Sequence, residues 1–320
     1  MSAAEAIEAL GLELPGRVER DAWLGASTTY RVGGRVAARV VAESVADLVA
    51  VGRIVARFGA PAVVVGRGSN LLVADAGFDG IVVVGGEGLA SVTIDDTLVR
   101  AGGAALLPVV ARRTAAAGLT GFEWAVGVPG TIGGGVRMNA GGHGSDMAAS
   151  LRRVLVVDLR TGEDGWMSVD ALELGFRSSA LAASQVVAEA ELGLAHGDPA
   201  EAEALIADIV RWRRENQPGG ANAGSVFRNP LPDSAGRLLD EAGVKGSRVG
   251  GAQISPKHAN FIQVDDGGSA ADVAELMIRT RRVVREHSGV ELHAETHFLG
   301  FPPEIAEAAG AVRIEGDVLP

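Results

Sequence analysis

The chain has no cysteine, which excludes disulfides, thiolate metal sites and catalytic thiols and is compatible with a reducing compartment. It has no apolar run of about 18 residues, the length needed to cross a bilayer as a helix. Residues 1–24 carry Glu5, Glu8 and Glu13 but no basic leader, which argues against a secretory signal. A soluble cytoplasmic protein is the expectation. Positive charge is scarce: 29 Lys and Arg stand against 40 Asp and Glu, a net charge of −11. Such a chain is poorly suited to nucleic acid, so any anionic ligand must meet a local basic site. Tyrosine occurs once, at Tyr30, and no sequence repeat is seen.

What is present is a long, globular text. Its 320 residues are 47% hydrophobic, enough for two or three domains with sizeable cores. The stretch V-G-V-P-G-T-I-G-G-G-V-R-M-N-A-G-G-H-G, residues 126–144, holds eight glycines in nineteen positions. Glycine at that density is entropically costly, and close approach of backbone to a ligand is the usual reason for it. Bare N–H groups in a glycine turn form an anion-binding concavity. A flexible linker is the alternative, but Val126, Val128, Ile132, Val136 and Met138 punctuate the stretch with residues of buried type.

A second glycine turn, G-R-G-S-N at 66–70, follows the apolar run Ala62 to Val65. It is not a dinucleotide-fold fingerprint. It lacks the third glycine and leads into strand-like Leu71-Leu72-Val73 rather than a helix. A tight hairpin is one reading, and a second loop clamping the same phosphate-bearing ligand is the other.

Periodicity and caps outline the rest. Ser27 to Gly34 reads as a short strand entering a turn, and Ala37 to Val41 as a strand. A helix begins at Ser44, with Asp47 as a partial capping box, and stops at Gly59. Ile81 to Val84, Leu98 to Ala101, Val154 to Leu159 and Val186 to Leu194 are strand-like, and Leu106 to Ala117 is helical. Thr161 to Gly165 reads as a polar turn. Composition shifts near His196. Asp198 and Pro199 then open a helix with arginines in its last turn. A polar loop covers 216–230, a capped helix runs from Ser269 to His287, and Val290 to Phe298 reads as a final strand.

Seven motifs in order resemble the UDP-N-acetylenolpyruvoylglucosamine reductase family, also called UDP-N-acetylmuramate dehydrogenases. They are T-Y-R-V-G-G at 29–34, G-R-G-S-N-L-L-V at 66–73, and the glycine stretch through Gly141. G-F-R-S-S at 175–179, G-S-V-F-R-N-P at 224–230, A-Q-I-S-P-K-H-A-N-F-I at 252–262 and E-T-H-F-L-G at 295–300 complete the set. The resemblance covers about residues 27–300. It implies an α+β fold: a two-subdomain FAD-binding region of the vanillyl-alcohol-oxidase/PCMH type over 27–196 and an α+β substrate domain over 197–302. The tail, 303–320, has no assigned role.

The resemblance also implies an activity: NADPH-dependent, flavin-mediated reduction of an enolpyruvyl UDP-sugar to UDP-N-acetylmuramate for peptidoglycan synthesis. FAD and NADPH are the implied cofactors and the UDP-sugar the partner, with no nucleic acid, membrane or metal. By motif match, Ser225 is the proton donor, Arg177 the stabiliser of the enolate or its carboxylate, and Glu295 a group that polarises the substrate or orients a partner. Each has a plainer reading, as turn serine, surface ion pair and exposed strand glutamate.

FAD would be held by Gly66, Arg67, Gly68, Ser69, Asn70, Gly127, Pro129, Gly130, Thr131, Gly133, Gly134, Asn139, Ala140 and Gly141. Arg228, Asn229, Lys245, Lys257 and His258 are candidates for substrate contact. Phe176 stands where the family often has tyrosine, and Arg228 where lysine is common. L-H-A-E replaces the usual L-E-P-E before Glu295. With no tyrosine after position 30, the chain resembles the branch lacking the tyrosine-bearing loop over the nucleotide. His293, Glu295 and His297 would share a strand face, a zinc-like set that the family does not use. A flavin oxidase of the same superfamily and a non-catalytic flavin-binding protein are the rival readings.

Overall fold

The computed structural model describes residues 3–314 and 316. The first unit begins earlier than residue 27. Helix α1 (Ala3–Glu13) buries Ala6, Ile7 and Leu10, and strand β1 (Val18–Trp23) pairs antiparallel with β2 (Arg35–Ala42). Helix α2 (Val45–Phe58) starts where Ser44 accepts the Asp47 N–H and ends at Gly59 in the left-handed region, a conformation that glycine adopts without a Cβ clash. The strand β3 (Ala62–Val64) follows, and then β4 (Leu71–Val73) and β5 (Phe78–Gly85). The sheet order is β1-β2-β5-β3, and β5 is parallel to both of its neighbours. The span 27–34 contains no strand; Thr28, Tyr30 and Val32 are buried there without a ladder.

The second unit is an antiparallel sheet around β6 (Val92–Asp95), β7 (Leu98–Gly102), β11 (Leu151–Asp158), β12 (Glu163–Ser168) and β13 (Gln185–Gly193), in the order β12-β11-β13-β7-β6. The polar turn expected over Thr161 to Gly165 is thus partly strand. Its edge position explains the missing hydrophobic signal, since most β12 side chains face solvent. Between β7 and β11 lie α3 (Leu107–Ala116), β8 (Leu119–Thr120), α4 (Ile132–Arg137), and the short pair β9 (Gly141–Gly142) and β10 (Ser145–Asp146). Strand β14 (Ala195–His196) returns to pair with β8.

Helix α5 (Pro199–Asn216) opens at Asp198, whose carboxylate accepts the N–H groups of Ala200 and Glu201. Its stripe of Ala202, Ile206 and Ile209 joins the core of the five-stranded sheet with Phe122, Trp124 and Val126. The composition shift near 196 therefore marks the start of a helix that packs backward onto the preceding unit. The C-terminal core runs from Ala223 onward and takes in Tyr30, Val32, Leu72 and Ala74 from the first unit. It gathers α6 (Ala235–Glu241), the antiparallel strands β15 (Arg248–Val249), β16 (Ala252–Ile254) and β17 (Ile262–Val264), and α7 (Ala270–Ser288), which has a complete Ser269–Asp272 capping box.

Strand β18 (His297–Leu299) is shorter than the expected final strand. It lies between β4 and β19 (Arg313–Ile314), parallel to both. The tail after 302 therefore folds: α8 (Pro303–Ala309) buries Ala306 and Ala309, and β19 completes this small sheet. Residues 315 and 317–320 lie outside the described residues.

One buried amide organises the loop before α6. The Asn260 side chain accepts the Phe227 N–H at 2.9 Å and donates to the Phe227 carbonyl at 2.8 Å, while the Asn260 carbonyl accepts the Val226 N–H. Asn260→Ala should leave both Phe227 backbone groups buried and unpaired. A loss of about 2–4 kcal/mol in urea unfolding is expected, with a change below about 0.5 kcal/mol refuting this role.

Candidate active site

The glycine turn at 66–70 and the long glycine stretch form facing walls of one cleft of about 610 Å³, closed on a third side by residues of the C-terminal unit. Gly66, Arg67, Gly68, Ser69 and Asn70 line it, as do Gly127, Pro129, Gly130, Thr131, Gly134, Ala140 and Gly141. Gly133 faces a smaller adjoining cavity of about 280 Å³, which shares Gly66, Arg67, Thr131, Gly134 and Arg137 with the larger one. The close fit of the two walls requires glycine. A Cβ on Gly66 would stand 2.7 Å from the Thr131 hydroxyl, the same oxygen that caps α4 through the Gly134 N–H.

Asn139 departs from its expected place. Its amide is buried and committed, donating to Asp146 at 3.2 Å and to the Gly175 carbonyl at 3.1 Å and accepting the Ala148 N–H at 3.0 Å. It builds the site without lining it. Two further bonds join the same segments: Ser179 Oγ donates to the Arg137 carbonyl at 2.8 Å, and Arg177 Nη2 donates to the Gly141 carbonyl at 3.0 Å. The G-F-R-S-S turn is thereby clamped against the glycine stretch. Arg177 sits at φ 54°, a left-handed conformation that an L side chain adopts at some cost.

Arg177 Nε lies 2.6 Å from Glu295 Oε1. Burial raises the Glu295 carboxyl above its ordinary range, against the pull of Arg177 and then Arg228. Ser225 lines the cleft beside this pair. Backbone pairing places it there: Glu295 N–H donates to the Val226 carbonyl at 2.7 Å and Arg228 N–H to the His293 carbonyl at 2.9 Å. Among the described residues the Ser225 hydroxyl has no hydrogen-bond partner, which leaves it available to a ligand. Three residues from separate motifs thus meet on one wall.

The other substrate candidates do not line the cleft. Lys245 pairs with Asp240, Lys257 donates to the Arg214 carbonyl, and Asn229 accepts the Ala235 N–H. His258 accepts the Asn260 N–H and packs its ring edge-on to Phe261. Arg228 acts at a distance, as a charge felt by Glu295 and His297.

The cleft also holds Arg137, Trp212, Arg213 and His297, which the motifs did not single out for it. Arg137 lay inside the glycine stretch as the one cation there, a signal that could have marked it. Its guanidinium donates to the Ala182 carbonyl at 2.8 Å, and burial lowers its pKa. Of the alternating His293, Glu295 and His297, only the last two reach the cleft, and His293 is exposed.

These walls fit a flavin dinucleotide. Among the described residues, the backbone N–H groups of Arg67, Gly68, Ser69 and Asn70 have no acceptor in the chain, so they are free for a pyrophosphate. Arg67 and Arg137 add positive charge, and Val65, Leu71, Leu107, Val128 and Met138 supply apolar surface for a flat ring.

Burial, then Arg137 and Arg228, hold His297 at about 4, below its ordinary 6.5. The unfolded chain therefore binds this proton first on acidification. The stabilisation is complete above pH 6.5 and is lost as the pH falls toward about 4. Glu295 has the opposite sign, its raised carboxyl taking up a proton more readily in the folded chain. His297→Gln should flatten the acid side of the Tm-against-pH curve between these limits; an acid limb identical to that of the wild type would contradict the assignment.

Comparison with known proteins agrees with this geometry. Residues 36–165 match the family model "FAD binding domain", and residues 216–299 match "UDP-N-acetylenolpyruvoylglucosamine reductase, C-terminal domain". The UDP-N-acetylenolpyruvoylglucosamine reductase 1 of Bacillus anthracis is 38% identical over 288 residues, covering 89% of this chain and 95% of the relative. Reductase 2 of Symbiobacterium thermophilum is 40% identical, over 90% and 96%. The crystal structure of the Thermus caldophilus UDP-N-acetylenolpyruvylglucosamine reductase superposes with a TM-score of 0.76 at 36% identity, covering 88% of this chain and 98% of that one. Among the described residues no helix is long and apolar enough to cross a membrane. A cleft built from paired glycine loops, with Arg177, Ser225 and Glu295 on one wall, and identity along nearly the whole chain lead to one conclusion: the protein belongs to the UDP-N-acetylenolpyruvoylglucosamine reductase family, oxidoreductases of peptidoglycan precursor synthesis that use FAD and NADPH.

Proposed function

We propose that the chain reduces the enolpyruvyl ether of UDP-N-acetylglucosamine to UDP-N-acetylmuramate, with Ser225 delivering the proton. The observation that carries this reading is the convergence of Ser225, Arg177 and Glu295, from three distant segments, on the wall of a cleft suited to a flavin. Bound FAD, reduced by NADPH, would supply the hydride to C3 of the enolpyruvyl group.

The side chains supply what remains. Hydride addition leaves negative charge spread toward the substrate carboxylate, and the Arg177 fork is the cation on that wall to receive it. The anchor from Arg177 to the Gly141 carbonyl keeps the guanidinium oriented when a substrate carboxylate competes with Glu295 for it. Ser225 donates its hydroxyl proton to C2. A serine hydroxyl is a weak acid, so it depends on the positive charge nearby and on a neighbour to restore the proton. Glu295, whose carboxyl is raised by burial, holds a proton at higher pH than an exposed glutamate and can serve as that neighbour. The semi-enclosed cleft limits water around the developing charge.

Two substitutions test the assignment by separating the half-reactions in anaerobic stopped flow. Ser225→Ala should leave flavin reduction by NADPH within about twofold and slow reoxidation by the enolpyruvyl nucleotide by roughly 10²–10⁴. Equal slowing of both half-reactions would remove Ser225 as the proton donor. Glu295→Gln should retain full flavin content and slow the same reoxidation at least about tenfold; loss of flavin would instead give Glu295 a structural role. Rapid reoxidation of the wild type by oxygen, with none by the nucleotide, would replace the reductase reading with an oxidase.

A further inference from the structure

The outer rim of the cleft carries groups that the proposed chemistry leaves unused. Trp212 lies near the end of α5 and lines the cleft, yet 48% of it is exposed. It is not part of the helix's buried stripe, which runs through Ala202, Ile206 and Ile209. Its recorded ring contact is with His143, at 5.2 Å between centroids and 90° between planes. His143 belongs to the Gly-Gly-His-Gly turn and sits at φ 53°, in the left-handed region. Burial and then Arg213 lower its pKa, so the ring is an uncharged brace at neutral pH.

Arg213 stands next along α5 on the same rim. Its side chain packs over Gly127, with Nη1 3.5 Å from the position a Cβ would take there. Among the described residues it has no carboxylate or carbonyl partner, and burial lowers its pKa. The rim therefore combines an open indole face, an edge-on ring that fixes the indole's tilt, and an uncompensated guanidinium. A flat π surface beside a cation suits a nucleobase joined to a diphosphate. Trp23 and Trp166 are exposed as well, but Trp212 is the tryptophan among the described lining residues of the cleft.

We propose that Trp212, braced by His143, is the stacking platform for the base of a nucleoside diphosphate entering the cleft, with Arg213 facing its phosphates. The proposal rests on the reductase reading, in which two ligands carry that chemistry: the UDP-sugar and NADPH. It makes Trp212 a residue that sets affinity for the incoming nucleotide without touching the reacting carbons.

The test is calorimetric titration of the flavin-loaded protein with UDP and, separately, with NADP⁺. Trp212→Ala should weaken one of the two at least tenfold, Trp212→Phe should restore most of the affinity, and His143→Ala should give a smaller loss. Flavin content should stay unchanged throughout, since the indole is exposed and outside the core. Loss confined to UDP names the sugar nucleotide as the occupant, and loss confined to NADP⁺ names the dinucleotide. Wild-type affinity for both ligands in Trp212→Ala overturns the platform, as does a wild-type protein that binds neither. Turnover of the wild type with NADPH and the enolpyruvyl nucleotide is measured in parallel. Its absence, with nucleotide binding still dependent on Trp212, would remove the reductase reading and leave the platform standing.

Discussion

The parallel pairing of β4 with β18 is the constraint on which the site depends. His297 lies opposite Leu71, Phe298 opposite Leu72 and Leu299 opposite Val73. The flanking backbone is tied in the same register: the His297 N–H donates to the Asn70 carbonyl, and the Asn70 side chain donates to the Glu295 carbonyl across 225 positions of sequence. The glycine turn leads directly into β4, and Glu295 stands two residues before β18, with Thr296 between them. Joining these two strands therefore sets the glycine turn against the wall that carries Arg177, Ser225 and Glu295. A slip of one residue would turn Glu295 and His297 away from the cleft and bring Thr296 and Phe298, both fully buried, out of the core. The burial of Phe298 and Leu72 is what makes such a slip unfavourable.

The clamp between the G-F-R-S-S turn and the glycine stretch is the second fixed point. Through Asn139, Ser179 and Arg177 it holds the guanidinium in place before any ligand arrives. Pre-organisation of this kind means that orientation is settled during folding rather than at the moment of reaction. The left-handed backbone at Arg177 is the local cost, and those three hydrogen bonds offset it.

Charge is organised against the average. The chain carries a net −11, yet Arg67, Arg137, Arg177 and Arg213 line the cleft, and Glu295 is the acidic side chain among its described lining residues. A polyanionic ligand would meet a locally positive concavity on an acidic protein, and the low-dielectric walls would strengthen each contact. The same burial that focuses the field pushes Glu295 and His297 toward their neutral forms, so the arginines remain the dominant charges where the substrate carboxylate would sit.

Much of this was legible in the text of the chain. Ser44, Gly59, Asp198 and Ser269 announce helix ends because capping is a local hydrogen-bond problem that neighbouring residues solve. The glycine clusters announce the cradle because few other structures tolerate such density. The motif matches pointed to Arg177, Ser225 and Glu295, and tertiary structure brought the three together. It also decided what local signals do not carry. Strand β12 lies on an edge, where alternation fades, and α5 belongs to the preceding core because a helix stripe does not state which partner covers it. Asn139 looks like a ligand residue in its motif but spends its amide on three internal bonds. Lys245, Lys257 and Asn229 are occupied by neighbours that sequence order does not reveal. Trp212 and His297 enter the cleft through long-range packing and register, quantities that exist only once distant strands and helices have met.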